Sequence, residues 1–384
     1  MSEYQRYEFM TIDRPLTRAQ LDAVNALSSH IEASSTHALI EYHWGDFKHN
    51  PIGVLHEFFD GFLYWANWGA PELAFRFPHG ILPVDLIDGY DLEDFVKFTR
   101  YPDYVILDIH FGEMEGPDEW IDYELGSLIA IRDELMEGEL RALYIVWLAA
   151  QIMIEGYDEE EIEDEEEDYE ISVPPVPPGF GTLTAAQQAL AELLQVPQEL
   201  LLAAARHSNA AAPSTRGDDF AAWVKLLPPE RQNDYLVRLA HNEPGLSRLL
   251  VRELRELGQG KSRVTPSTGE HVTYATLLTE SKAITVQLER EKREQEQAAR
   301  LRHLQEIHDH QDAYWQQVEQ AVMRGTGTGY DEALRLLIEL REAAEQFKET
   351  QEFQEHFRAW VRPHLRRPAF VKRLQDRKFT LPEA

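Results

Sequence analysis

The chain of 384 residues contains no cysteine. That excludes disulfides, thiol catalysis, iron–sulfur clusters and cysteine-ligated zinc. Long apolar runs are also missing. The longest, Leu140 to Ile154, is interrupted by Arg141 and Gln151 and is too short and polar to span a bilayer. The opening MSEYQRYEF has neither the basic nor the apolar stretch of a secretion signal. These absences predict a cytoplasmic protein with no membrane partner. Positive charge is scarce too, but unevenly so. Met1 to Ile154 carries 27 Asp/Glu against 9 Lys/Arg, and Glu155 to Glu170 adds 12 acids and no base. The rest is nearly balanced, at 29 acids and 28 bases, so the formal net charge of −31 belongs almost wholly to the first part. Such a field repels nucleic acid and anionic membrane and attracts basic partners.

Over residues 1–154 strand and helix signals alternate. Tyr7–Ile12, Thr36–Trp44, Leu73–Phe77 and Tyr104–Phe111 read as strands. Thr17 with Gln20 forms a capping-box pattern, opening a helix with Leu21, Val24 and Leu27 on one stripe. Pro51–Trp65, Pro83–Asp88, Leu92–Phe98, Tyr123–Met136 and Glu139–Ile154 read as helical. The pattern predicts an acidic α+β domain with helices on one face of a sheet. Residues 155–181 join an acidic run to a Pro-rich spacer and predict a disordered linker. Residues 182–257 read as a small helical bundle, 258–272 as a second linker, and 273–384 as a long helix followed by a C-terminal helical hairpin. The long helix is expected to run from Tyr274 to Arg324, with a polar middle forming a solvated, coiled-coil-like stalk. Gly325–Gly329 should break it, and Tyr330–Phe347 should return along its end through Ala333, Leu336, Leu337 and Leu340.

Two stretches carry a family resemblance. Glu41-Tyr42-His43-Trp44-Gly45-Asp46-Phe47-Lys48, with Ala66-Asn67-Trp68-Gly69, resembles the N-terminal signature of an uncharacterised bacterial family. Trp315, Val318 and Glu319, then Tyr330-Asp331-Glu332-Ala333, then His364-Leu365-Arg366-Arg367-Pro368-Ala369-Phe370, are similar to the tail of bacterial SWIM zinc-finger proteins. The resemblance implies a shared helical tail module and brings no activity with it. The zinc site of the SWIM proteins needs cysteines, which this chain lacks, so no ligand is carried over.

Several side-chain groups are candidates for chemistry. Asp108 and His110 alternate onto one strand face, Glu113, Glu115, Asp118 and Glu119 follow, His43 and Asp46 end another strand, and Asp60 sits on the next helix. Converging carboxylates and imidazoles can bind a divalent metal or move protons. Clustered carboxylates are also what so acidic a region yields by composition alone, and no spacing matches a metal signature such as HExxH. On the long helix, His308 and Asp312 share a face, as do Glu306 and His310, with His303 nearby. Two ligands do not make a closed site, so these read as a solvated helix face. Phe58, Phe59, Phe62, Tyr64, Trp65 and Trp68 read as core, with Tyr64 or Trp68 nearest the surface. The ending carries eight bases between Arg358 and Lys378 against the single acid Asp376. It could touch phosphates, dock on the chain's own acidic half or acidic run, which the neighbouring polyanion favours, or simply pack through Trp360, Leu365, Phe370 and Leu374.

The sequence therefore favours a non-enzymatic interaction or scaffold protein without cofactor or metal. Its partner would be a protein with a basic surface or a helical docking face, not nucleic acid. One alternative is a metal-dependent hydrolase whose site at the strand ends uses Asp46, Asp108 and His110. Another is a nucleic-acid mimic whose carboxylates stand in for phosphates.

Overall fold

The computed structural model describes residues 4–82, 88–90, 92, 95–112, 123–158, 174–210, 219–241, 246–259 and 272–382. The acidic run beyond Asp158, the proposed linker over 260–271, most of Pro83–Asp88 and the acids at 113–119 lie outside these residues. Contacts divide the chain into two units, Met1–Ile284 and Thr285–Ala384.

The first unit is built on seven antiparallel strands: β1 (Gln5–Met10), β2 (Ile31–Ala33), β3 (His37–Tyr42), β4 (Gly61–Ala66), β5 (Glu72–Pro78), β6 (Val96–Arg100) and β7 (Tyr104–His110). Their order across the sheet is β2-β3-β1-β4-β5-β7-β6. Alternation decides the two faces. Tyr7 and Phe9 of β1, Ile40 of β3, Phe62 of β4 and Ile106 of β7 form one core with Val24 of α1 (Arg18–Asn25) and Leu55 of α2 (Pro51–Phe58). Thr17 opens α1 with the expected capping box. Leu63, Phe75, Leu107 and Ile109 point the other way, into a larger core. Five helices supply its far side: α3 (Leu125–Leu128), α4 (Ala130–Met136), α5 (Arg141–Asp158), α6 (Ala185–Leu193) and α7 (Gln198–Arg206). Helices thus cover both faces, not one. The side chains of Val176 to Ala204 share a core with the strands, so the contacts do not divide at the acidic run.

Two segments differ from their sequence reading. The helix expected over Pro51–Trp65 stops at Phe58, and Phe59 turns extended with φ −126° and ψ 171°. The GFLYWA run that follows is β4. Its aromatic residues pack at period two, Phe62 and Tyr64 to one face and Leu63 and Trp65 to the other. Glycine begins it because a Cβ at Gly61 would lie 2.7 Å from Ile129 Cδ1. The helix expected around Leu92–Phe98 is instead the approach to β6, which pairs with β7 from Val96 to Arg100. Here cross-strand pairing outweighs the local pattern. Farther along this unit, α8 (Phe220–Trp223), α9 (Pro229–Ala240) and α10 (Leu246–Gln259) enclose a small core of Leu227, Tyr235, Leu246 and Leu254.

The units divide within α11 (Tyr274–Asp309), a helix of 36 residues. Residues 286–302 of it are exposed throughout. The expected single helix to Arg324 is broken at His310, whose φ of −122° and ψ of 27° leave the helical region; α12 (Gln311–Met323) follows. Gly325, at φ +66°, closes α12, and Thr326 caps α13 (Gly327–Gln346) by accepting from Gly329 N. Gly329 has to lack a side chain, since a Cβ there would meet Ala321 O at 2.6 Å. The glycine run is therefore a tight helix-to-helix turn. α12 and α13 pack through Trp315, Val318, Val322, Ala333, Leu337 and Leu340. α14 (Thr350–Val361) and α15 (Pro368–Asp376) complete this core with Phe357, Phe370 and Leu374. The C-terminal stretch is thus apolar inward, as its Phe370 and Leu374 suggested. Among the described residues no helix is long and apolar enough to cross a membrane.

Candidate functional site

Sheet register gathers a polar group at one end of the first core. Tyr7 pairs with Tyr64, Tyr64 with Glu72, and Glu72 with His110, making a row across β1, β4, β5 and β7. The next row runs from Ala74 to Asp108 to Lys97. All these side chains share one face. The Glu72 carboxylate lies 3.6 Å from His110 Nδ1. Asp108 sits diagonally beside both, across from the short side chain of Ala74. Its Oδ1 is buried and has no hydrogen-bond partner among the described residues.

This placement perturbs the titration of each group. Burial pushes the Asp108 carboxyl up to about 6, and the neighbouring Glu72 charge adds to the effect against the pull of His110 and Lys97. His110 is raised by its contact with Glu72, which outweighs partial burial, with Asp108 contributing. Burial pushes the Tyr7 hydroxyl up to about 12, with the Asp46 and Glu72 charges adding to the effect. A carboxyl pushed up by burial, beside an imidazole whose pKa a second carboxylate raises, can exchange and hold protons.

The other residues expected here separate. Asp46 lies at the same end of the sheet but accepts from Gln5 Nε2 at 2.8 Å, over β1. Three strand spacings, about 14 Å, separate β1 from β7, so Asp46 does not share a site with Asp108 and His110. His43 is exposed and rests against Tyr4, their ring centroids 5.4 Å apart. Asp60 is at the opposite end, buried among Arg76 and the amides of Ile12 and Asp13. Its role is structural. Among the described residues no group of three His, Asp or Glu side chains is gathered closely enough to hold a metal ion.

On α11 the break at His310 takes Asp312 into α12, undoing the pairing of His308 with Asp312. His308 instead meets Asp309 at 3.3 Å and Glu349 at 3.2 Å, and these two carboxylates raise its pKa. His303 faces Glu339 at 3.7 Å. His310 Nδ1 stays 3.1 Å from Glu306 O, on its own helix. The aromatic candidates divide by strand: Phe58, Phe59, Phe62 and Trp65 are core, whereas Tyr64 and Trp68 are half-buried.

Two features were not legible in the sequence. Glu72 joins Asp108 and His110 only through sheet register, which no local pattern encodes. The second feature is on α9. Its inner side holds Tyr235, which donates to Glu253, and Arg231, paired with Glu253 at 2.8 Å. Its outer side leaves Leu236, Val237 and Leu239 at 62%, 57% and 65% exposure, and Leu226 in the preceding turn is exposed too. Single exposed aliphatic residues are ordinary, but several on one short helix form a patch. No family model, curated protein or solved structure matches the chain.

Proposed function

We propose that the protein is a non-enzymatic interaction protein, and that α9 carries the contact surface. The observation behind this reading is the aliphatic outer side of α9, with Leu236, Val237 and Leu239 open to solvent. The partner best suited to it is a protein that lays an amphipathic helix along this face, with basic residues toward the chain's strong negative field.

The test is a quantitative pull-down from the native host, comparing the wild type with Leu236→Asp combined with Leu239→Asp. Both side chains are exposed, so the melting temperature should stay within a degree or so, as surface substitutions change stability by about 0.5 kcal/mol or less. A partner retained by the wild type and lost from the variant is the expected result. The same set of proteins on both would end the proposal.

The unpartnered Asp108 Oδ1 beside His110 favours a second reading, an acid–base catalyst at the sheet end. Asp108→Asn with His110→Ala would then abolish function in the host at undiminished thermal stability. On the interaction reading, the double variant keeps its function.

A further inference from the structure

The second unit contains an open groove of about 400 Å³. Its floor is Leu334 and Ile338, one turn apart on α13 and half-buried. Arg300, Arg335 and Arg377 stand around it, with Asp331 and Glu339. The carboxylates are already engaged: Glu339 holds Arg335 at 2.9 Å, and Asp331 holds Arg373 at 2.6 Å. Arg300 is paired with Glu342. The Arg377 guanidinium has no side-chain partner among the described residues, and neither do the exposed Lys372 and Lys378 beside it in sequence. The eight bases and one acid between Arg358 and Lys378 therefore leave uncompensated positive charge next to an apolar floor.

We propose that this groove docks an acidic segment of a partner protein, one that places an aliphatic side chain on Leu334 and Ile338 and a carboxylate against Arg377. Charge complementarity selects the acidic partner, because a guanidinium without a local carboxylate gains a charge-assisted, two-point hydrogen bond from an incoming one. The apolar floor selects a protein segment over a free anion, which has nothing to bury there. Nucleic acid is disfavoured because its sugar–phosphate backbone brings no aliphatic side chain to this floor. The groove is also too open to enclose a small molecule, and it suits a side chain presented from a larger surface. This surface lies in the other unit from α9, and its test is independent of that reading.

The experiment uses the full chain and a short fluorescent peptide of alternating Glu and Leu, followed by anisotropy. The comparison probes are the same peptide with Ser for Leu and a labelled DNA duplex. The expected result is saturable binding of the Glu/Leu peptide that weakens with salt and falls at least about tenfold in Arg377→Glu with Lys378→Glu. Both substitutions are at exposed positions, and an unchanged melting curve confirms that the fold is intact. Replacing Leu by Ser in the peptide should weaken binding severalfold. Three results would each overturn the proposal: no binding by the wild type at low salt, equal binding by the charge-reversed variant, or tighter binding of the duplex than of the peptide.

Discussion

Asp60→Asn is expected to cost about 3–5 kcal/mol of folding free energy. Asp60 is almost wholly buried. One carboxylate oxygen accepts from Arg76 Nη2 at 2.8 Å, and the other accepts from Ile12 N at 2.6 Å and Asp13 N at 2.9 Å. Arg132, with no exposed surface, lies beside it, gripping Asp13 through both terminal nitrogens and donating Nε to Arg76 O. An asparagine offers one acceptor oxygen and turns an NH2 either toward the two amides or toward the guanidinium. It also leaves two buried cations short of a counter-charge. Burial by itself raises the Asp60 pKa, but the Arg132 and Arg76 charges and the hydrogen bonds outweigh it and hold the group below the ordinary carboxylate range. A depressed folded value means that the stabilisation is complete above the unfolded pKa and is lost as pH falls through the folded one. Urea denaturation at neutral pH should place the variant's midpoint far below that of the wild type, with the gap closing only in strong acid. Coincident midpoints at neutral pH would refute the assignment. Adding Arg76→Met should recover part of the loss, because it removes a cation that Asp60 no longer balances.

Asp60 also illustrates where sequence reading stops. In sequence it reads as a carboxylate on the helix over Pro51–Trp65, near the strand-end Asp46 and Asp108. Its real partners, Arg76 and Arg132, are 16 and 72 positions away and meet it only in the folded sheet. Features set by near neighbours were legible. The Thr17–Gln20 cap, the period-two run of β7 and the pairing of Asp108 with His110 on one face all appear as read. The α+β class with a long helix in a helical C-terminal region also follows from these local patterns. Phe58 to Trp65 misled because a stretch so rich in aromatic residues satisfies a helix and a buried strand equally, even across Asp60-Gly61, and only pairing with β1 and β5 decides it. The break at His310 has no proline or glycine to announce it. Glu72 was missed because a glutamate opening a strand looks like any surface acid until register puts it opposite His110. The outer side of α9 was missed for a different reason. Leu236, Val237 and Leu239 complete an apolar pattern that would ordinarily be counted as core.

Asp108→Asn is expected to act in the opposite sense and stabilise the protein. The Asp108 carboxyl is raised to about 6, so between the ordinary carboxylate range and that value the folded chain holds a proton that the unfolded chain releases. The folded state then binds more protons, and stability falls as pH rises across this interval, the reverse of the Asp60 case. Above it, the folded protein bears a charged, partly buried carboxylate whose Oδ1 has no donor among the described residues and whose neighbour is the Glu72 carboxylate. A shift of about two units corresponds to at most about 3 kcal/mol, and partial solvent access reduces the gain expected from the neutral amide to about 1–2 kcal/mol. The gain should be complete near about pH 8 and vanish near about pH 4, where the aspartic acid is itself neutral. His110 gives a second signal. Its raised pKa owes part of its elevation to Asp108, after Glu72, so the imidazole of the variant should titrate lower by NMR. A raised His pKa stabilises the folded state below its unfolded value and ceases to do so as pH rises through the folded one, so this loss offsets part of the gain until pH has passed the folded His110 value. Denaturation midpoints for wild type and variant at both ends of the range separate the outcomes. A variant less stable than the wild type near pH 8 would mean that the charged carboxylate is satisfied by partners beyond the described residues. A variant stabilised as expected, yet inactive in the host, would mean that the Asp108 charge serves the function at a cost in stability, and would favour the acid–base reading of this sheet end.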